Sequence, residues 1–126
     1  MTREEVDQFE KLTAQLVAAH QEVSALSKKS PKDAVNVFKL KLINSTLERC
    51  NAALGSKYMP FDDFSTFPLE DLPSNSDVSF IIAHYLEAAE KFRSDHIVQV
   101  AGGRWQWHVD DGNPIRTASP KKLNDK

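Results

Sequence analysis

The chain has 126 residues, a formal net charge of −2 and one cysteine. This length is typical of a single domain with its own core, and one cysteine excludes an internal disulfide or a Cys-based zinc site. The acidic start lacks an apolar signal region, and no apolar run approaches the roughly 18 residues of a membrane span. We therefore expect a cytoplasmic protein without a membrane partner.

Charge is distributed unevenly along the chain. Residues 28–57 carry seven Lys or Arg and two Asp or Glu, a net of +5, whereas residues 58–77 carry five acidic residues and no basic ones, a net of −5. The simpler interpretation is that the basic helix and the acidic loop face each other in the fold. The alternative is a polyanion site on the basic segment.

The first predicted element is a helix that begins at Thr2. Thr2 and Glu5 form a T-x-x-E capping box, and Lys28 and Lys29 place cations at the negative end of the helix dipole. Between them, apolar residues recur at steps of three and four: Phe9, Leu12, Leu16, Ala19, Val23 and Leu26. This seam predicts packing inside a helical bundle, with a homodimer through helix 1 as the alternative.

A second helix is predicted to begin at Ser30-Pro31, because Ser is a favoured cap and Pro suits the first helical position. Gly55 is the expected residue just beyond its end. Its apolar stripe is Leu40, Ile43, Leu47, Cys50 and Leu54, with Val35, Phe38 and Leu42 beside it. The short connection predicts an antiparallel hairpin of helices 1 and 2, and we expect Cys50 to be a buried, inert thiol.

The segment from Gly55 to Pro73 is long for a connection and too aromatic for a disordered linker. Phenylalanine recurs at every third residue, at Phe61, Phe64 and Phe67. The acidic residues lie between and after them: Asp62, Asp63, Glu70 and Asp71. We expect this loop to fold over the bundle with its aromatic side chains in the core. The alternative is an exposed aromatic–acidic patch for a partner protein.

The third predicted helix is the most buried element of the chain. Ser74 and Asp77 form a second capping box at its start. Its apolar residues, from Val78 to Phe92, cover more than one narrow stripe, which is typical of a helix that packs on two sides. We expect the helix to end near Ser94, with a helix that continues to Ala101 as the alternative.

A small antiparallel sheet is predicted after the third helix. The β-branched residues 97–100 favour a strand, and Gly102-Gly103 favours a two-residue turn that sets Val100 opposite Trp105 and Val98 opposite Trp107. A strand over 104–109 and a short strand over 115–117 follow, joined by a turn at Asp111-Gly112.

The predicted fold class is therefore α+β and mainly helical. It comprises an antiparallel helical hairpin, a third central helix and a C-terminal β-hairpin or three-stranded meander. We expect one globular domain over residues 1–117 and a disordered basic tail over residues 118–126.

No residue pattern indicates catalysis or a cofactor. The four histidines lack the i, i+4 spacing of a helical zinc pair, and the chain has no nucleophile motif, phosphate-binding glycine loop or dinucleotide fingerprint. We therefore expect a non-enzymatic protein with no catalytic residue, no cofactor and no metal.

The candidate binding residues lie on the aromatic loop and on the predicted sheet. The tryptophans either attach the sheet to the helices or form an open platform beside arginines. The candidate partner-binding residues are Trp105, Trp107, Arg104, Arg116, Phe61, Phe64 and Phe67. Trp and Arg are frequent at binding hot spots, so we expect a regulatory or accessory protein whose partner is another protein. The alternative is a nucleic-acid-binding regulator that uses the basic helix 31–54 and the basic C-terminal hairpin and tail.

Overall fold

The computed structural model describes residues 1–121 and confirms the mainly helical α+β fold class. The helices are α1 (Arg3–Lys29), α2 (Val37–Tyr58) and α3 (Asn75–Asp95). The strands are β1 (Ile97–Gln99), β2 (Trp105–Trp107) and β3 (Ile115–Thr117), which form one antiparallel sheet in the order β1-β2-β3. Of the predicted tail, residues 122–126 lie outside the described residues.

Helix α1 runs antiparallel to both other helices. On the α2 side, Glu22 forms an ion pair with Lys39. On the α3 side, the hydroxyls of Ser24 and Ser79 lie 2.9 Å apart, and the rings of Phe9 and Phe92 stack with centroids 4.8 Å apart. The predicted antiparallel hairpin of α1 and α2 is therefore confirmed, and α2 and α3 are parallel to each other.

The caps predicted for α1 and α3 are present. The amide of Glu5 donates to Thr2 Oγ1 (3.1 Å) while the amide of Thr2 donates to Glu5 Oε1 (2.9 Å), which completes the capping box. At α3, the amide of Asp77 donates to Ser74 Oγ at 3.1 Å. Each cap satisfies a backbone donor that the first helical turn leaves without a partner.

The predicted start of α2 at Ser30-Pro31 is wrong. Ser30 closes α1 instead, since its amide donates to the Leu26 carbonyl at 2.8 Å. Asn36 caps α2, where its Oδ1 accepts from the Lys39 amide at 3.2 Å. The intervening residues 31–36 form a turn and an extended stretch rather than a helix.

The reason is that this linker pairs with the start of α3. The amide of Asn75 donates to the Asp33 carbonyl (2.8 Å), and the amide of Val35 donates to the Pro73 carbonyl (2.9 Å). The side chain of Asn75, which is buried, also donates to the Ser30 carbonyl at 2.9 Å. These bonds need extended backbone, so long-range pairing overrides the local helix-start signal.

The predicted turn of the first β-hairpin is wrong by one residue. Gln99 pairs with Trp105 and Ile97 pairs with Trp107, while the Val100 amide donates to the Arg104 carbonyl at 2.7 Å. The loop therefore has three residues, Ala101–Gly103, with positive φ at both glycines. A one-residue change of register exchanges the faces of a strand, so Ile97 rather than Val98 joins the tryptophan face.

The hydrophobic core extends from the bundle to the inner face of the sheet. All three helices contribute a buried stripe, and the sheet contributes Ile97 and Trp107. The α1 seam that was considered for a homodimer is largely used inside the chain, because Phe9, Leu12, Leu16 and Val23 are buried there. Within the described range, no helix is both long and apolar enough to cross a membrane.

Candidate protein-binding surface

The segment after α2 has to return along the bundle, because α2 and α3 are parallel. Two asparagines of α2 hold it in place. Asn44 donates to the Phe67 carbonyl (2.8 Å) and accepts from the Phe67 amide (2.9 Å), and Asn51 donates to the Ser65 carbonyl (3.0 Å). The loop therefore folds over the bundle, as the sequence predicted.

Aromatic rings form a continuous chain from the core to the surface. Phe67 is buried and contacts Phe64, which contacts Phe61, with centroid distances of 5.0 and 6.1 Å. The chain continues onto α3 through His84, whose ring centroid lies 5.3 Å from that of Phe61 and 4.4 Å from that of Phe80. It ends at Phe80, which is 58% exposed.

Exposed carboxylates lie beside this chain of rings. Asp62 and Asp63 follow Phe61 directly, and Asp77 lies one helical turn before Phe80, on the same side of α3. In the described part of the chain, none of these three carboxylates forms an ion pair. We call the outer rings and these acids the aromatic–acidic surface: exposed Phe80 and His84, partly buried Phe61 and Phe64, and Asp62, Asp63 and Asp77.

The two tryptophans do not form an open platform. Trp107 is 1% exposed, its ring meets that of Phe9 edge-on, and its indole N–H donates to Glu10 Oε2 at 3.0 Å. Trp105 is partly buried against the same core. Trp107 thus attaches the sheet to α1, and a buried indole of this kind usually needs the polar partner that Glu10 supplies.

The arginines of the predicted hairpin site are exposed but separated from the tryptophan face. Arg116 pairs with Gln106 across the ladder, so both side chains lie on the opposite face of the sheet from Trp107. Arg104 lies at the end of the three-residue loop. Of the predicted partner-binding residues, Trp107 and Phe67 are buried, whereas Arg104 and Arg116 are exposed.

The basic segment and the acidic loop pack together without neutralising each other. The loop lies along α2, yet no ion pair among the described residues joins residues 28–57 to residues 58–77. Lys39 is paired with Glu22 of α1 instead, and Arg49 donates to Gln15 at 3.4 Å. Exposed basic and acidic side chains without a described ion pair therefore remain on the same chain, among them Lys41 and Asp62.

Two grooves lie beside α1. One, of about 540 Å³, lies between α1 and the end of α2. The other, of about 410 Å³, lies between α1, α3 and the C-terminal segment, and Glu90 and Arg93 line it. These two side chains are 13% and 12% exposed and form a bidentate pair, with Arg93 Nε and Nη2 each 2.9 Å from a Glu90 oxygen.

The Glu90–Arg93 pair serves as a structural clasp. Arg93 also donates to Thr117 Oγ1 (2.7 Å) and to the carbonyls of Ala118 and Ser119 (2.9 Å each), while Glu90 accepts from the Lys121 amide at 2.8 Å. Burial alone would raise the pKa of Glu90, but the bonds and charges of Arg93 and Lys121 hold it below its usual value. All five N–H groups of the guanidinium are used, which leaves none for a ligand.

Residues 1–121 contain no group of three or more His, Cys, Asp or Glu side chains placed to hold a metal ion. Cys50 is 4% exposed, and burial raises the pKa of its thiol to about 11. A thiol of this kind is not a reactive nucleophile.

Sequence reasoning missed the outer end of the aromatic–acidic surface. It counted Phe80 among the apolar residues of the buried third helix and expected His84 to be a satisfied core residue, but both are exposed. The helical spacing could have predicted the exposure of Phe80. On a helix of 3.6 residues per turn, Phe80 lies roughly opposite the stripe of Val78, Ile82 and Tyr85. Those three residues are fully buried, whereas Phe80 is exposed.

Comparisons with known proteins returned no matching family model, no significantly similar curated protein and no similar solved structure.

Proposed function

We propose that this protein is a small, non-enzymatic regulatory or accessory protein that binds a basic segment of another protein through the aromatic–acidic surface. The observation that carries the proposal is the chain of rings that ends at exposed Phe80, beside three carboxylates without an ion-pair partner in the described chain. An exposed ring supported by other rings is typical of an anchor residue in an interface.

Two contributions to the binding free energy support the binding of a basic partner at this surface. Burying apolar area contributes about 25 cal/mol per Å², so covering Phe80 and its neighbours would stabilise a complex by about 1–3 kcal/mol. The carboxylates of Asp62, Asp63 and Asp77 add selectivity, because charged groups at the rim of an interface steer partners of opposite charge.

The hairpin is the weaker candidate for the same role. Its large aromatic residue, Trp107, is buried, so only the partly buried Trp105 and the exposed Arg104 and Arg116 offer surface. Truncating a fully buried side chain would disturb the core rather than test binding. Tests of this hairpin should therefore use Arg104→Ser and Arg116→Ser.

The proposal is tested by affinity capture from nuclease-treated lysate, followed by titration of each captured and purified protein. We expect Phe80→Ser, and separately Asp62→Lys combined with Asp63→Lys, to weaken the affinity about ten-fold or more. Val17→Ser is the control, because Val17 is 40% exposed on α1, outside this surface. High salt should weaken the charge-dependent part of the binding.

Equal affinities for the wild type and the Phe80 variant would contradict the proposal. Capture that disappears after nuclease treatment would favour the nucleic-acid alternative through the basic helix.

A further inference from the structure

We infer that a second copy of this chain is a partner of the aromatic–acidic surface, and that it binds through the outer face of α2. The inference rests on the proposed function, since it uses the same surface. The residues that carry it on the second copy are Phe38, Leu42, Lys41 and Arg49, together named the basic α2 face.

The basic α2 face is exposed and lies away from the core. Phe38 is 71% exposed and Leu42 is 56% exposed, the largest values for Phe and for Leu on the three helices. They lie four residues apart and so share one side of the helix. The buried stripe of α2, which includes Leu40 and Leu47, lies on the other side.

The charges of this face are free to bind an acidic partner. Lys41 forms no ion pair with any residue of the described range. Arg49 makes two long side-chain contacts, at 3.3 Å to the Ser45 carbonyl and 3.4 Å to Gln15, neither of which is to a carboxylate. The guanidinium therefore retains donors for a carboxylate.

The two surfaces match each other in chemistry. One presents exposed Phe38 beside Lys41 and Arg49, and the other presents exposed Phe80 beside Asp62, Asp63 and Asp77. Pairing a surface with its own copy would oppose like charges, which is unfavourable, whereas pairing acidic with basic is favourable. A second copy is also present at the same concentration as the first.

The contact is head-to-tail, because it joins two different surfaces. The assembly then keeps one free surface of each kind, one at either end, so growth continues unless a ring closes. We expect the wild type to exceed its monomer mass of 14.2 kDa increasingly as concentration rises, and to return toward it at high salt.

The decisive experiment measures mass in solution, by sedimentation, for two variants of the full chain. Phe38→Ser removes the anchor of the basic α2 face, and Phe80→Ser removes the anchor of the aromatic–acidic surface. We expect the dissociation constant for self-association of each variant alone to rise about ten-fold or more. An equimolar mixture should form a dimer and nothing larger, because it contains one intact pair of surfaces.

A second pair of variants guards against effects on folding. Lys41→Glu and the combined Asp62→Lys and Asp63→Lys variant should each be impaired alone. Their mixture should recover association, because the unaltered acidic surface of the first matches the unaltered basic α2 face of the second, and the two altered surfaces also carry opposite charges. Circular dichroism checks that every variant is folded, and exposure of all the altered side chains favours that outcome.

A wild type that stays monomeric at every concentration would overturn the inference, as would a Phe38 variant that assembles normally or a mixture that stays monomeric. Failure of this self-association can be distinguished from failure of the proposed function. If another protein is captured in a Phe80-dependent way while the chain stays monomeric, the proposed function stands and the self-contact does not.

Discussion

Cys50 shows how one residue's surroundings decide its chemistry. Its sequence position on the stripe of α2 predicted a buried thiol, and the side chain is 4% exposed. Burial raises its pKa to about 11, and the nearby Arg49 charge reduces that rise in part. The thiolate, which is the reactive form, is therefore scarce at neutral pH.

We expect Cys50 to react with a thiol reagent at pH 8 at least about 100-fold more slowly in the native protein than in urea. An unfolded cysteine has a pKa of about 8.5 and a far larger thiolate fraction at that pH. The measurement is the rate of labelling with and without denaturant. Similar rates in both conditions would show that the thiol is accessible in the folded chain.

The candidate site shows at the residue level what a sequence can and cannot predict. Phe61, Phe64 and Phe67 were identified from their spacing, and Phe67 does reach the core. Phe80 was assigned to the buried helix because apolar composition does not reveal which positions a neighbour covers. Its exposure depends on how the loop and α2 pack on α3, which is a long-range property.

At the level of elements, local capping signals predicted the starts of α1 and α3 correctly but placed the start of α2 too early. Thr2 and Ser74 act as caps where expected. Ser30-Pro31 has the same local chemistry, but the backbone of residues 31–36 pairs with the start of α3. Local propensity is a weak prior that such tertiary pairing overrides.

The long loop depends on Asn44, whose side chain makes both hydrogen bonds of a backbone-like pair with Phe67. We expect Asn44→Ala to lower the free energy of unfolding by about 1–3 kcal/mol, because both polar groups of a buried residue's backbone lose their partner. Amide exchange in residues 59–68 should also become faster. Urea unfolding and hydrogen exchange measure these effects.

Ser45→Ala is the matched control for Asn44→Ala, since Ser45 is exposed on the next position of α2. Its free energy of unfolding should change by less than about 0.5 kcal/mol. Unchanged exchange in the loop of the Asn44 variant would show that aromatic packing alone holds this segment.

At the level of the whole molecule, contacts between residues distant in sequence hold both ends of the described chain in place. The amide of Asp110 donates to the Met1 carbonyl (2.8 Å), and the amide of Arg3 donates to Asp111 Oδ1 (2.9 Å). Arg93 and Glu90 hold residues 117–121 against α3. Neither attachment has a local sequence signal, because each depends on antiparallel α1 and α3 bringing remote segments together.

The clasp between Glu90 and Arg93 makes stability depend on pH. The pKa of Glu90 lies below its ordinary value of 4.5 in the folded protein. A carboxyl whose folded pKa is lowered stabilises the fold fully above its unfolded pKa, and this contribution is lost as pH falls through the folded pKa. Acid should therefore release the C-terminal segment as well as lower the free energy of unfolding.

We expect Glu90→Gln to lower the free energy of unfolding by about 1–3 kcal/mol at pH 7, since Arg93 loses its charged partner in a largely buried site. As pH falls below about 4.5 and then through the lower folded pKa of Glu90, the difference from wild type should shrink, because the carboxyl is protonated first in the unfolded chain and then in the folded one. Urea unfolding at several pH values measures both effects, and Glu48→Gln, an exposed residue of α2, is the control. If the stability of the Glu90 variant varied with pH as that of the wild type does, the carboxylate would contribute no charge-dependent stability. Packing of the C-terminal segment against α1 and α3 would then be what holds that segment.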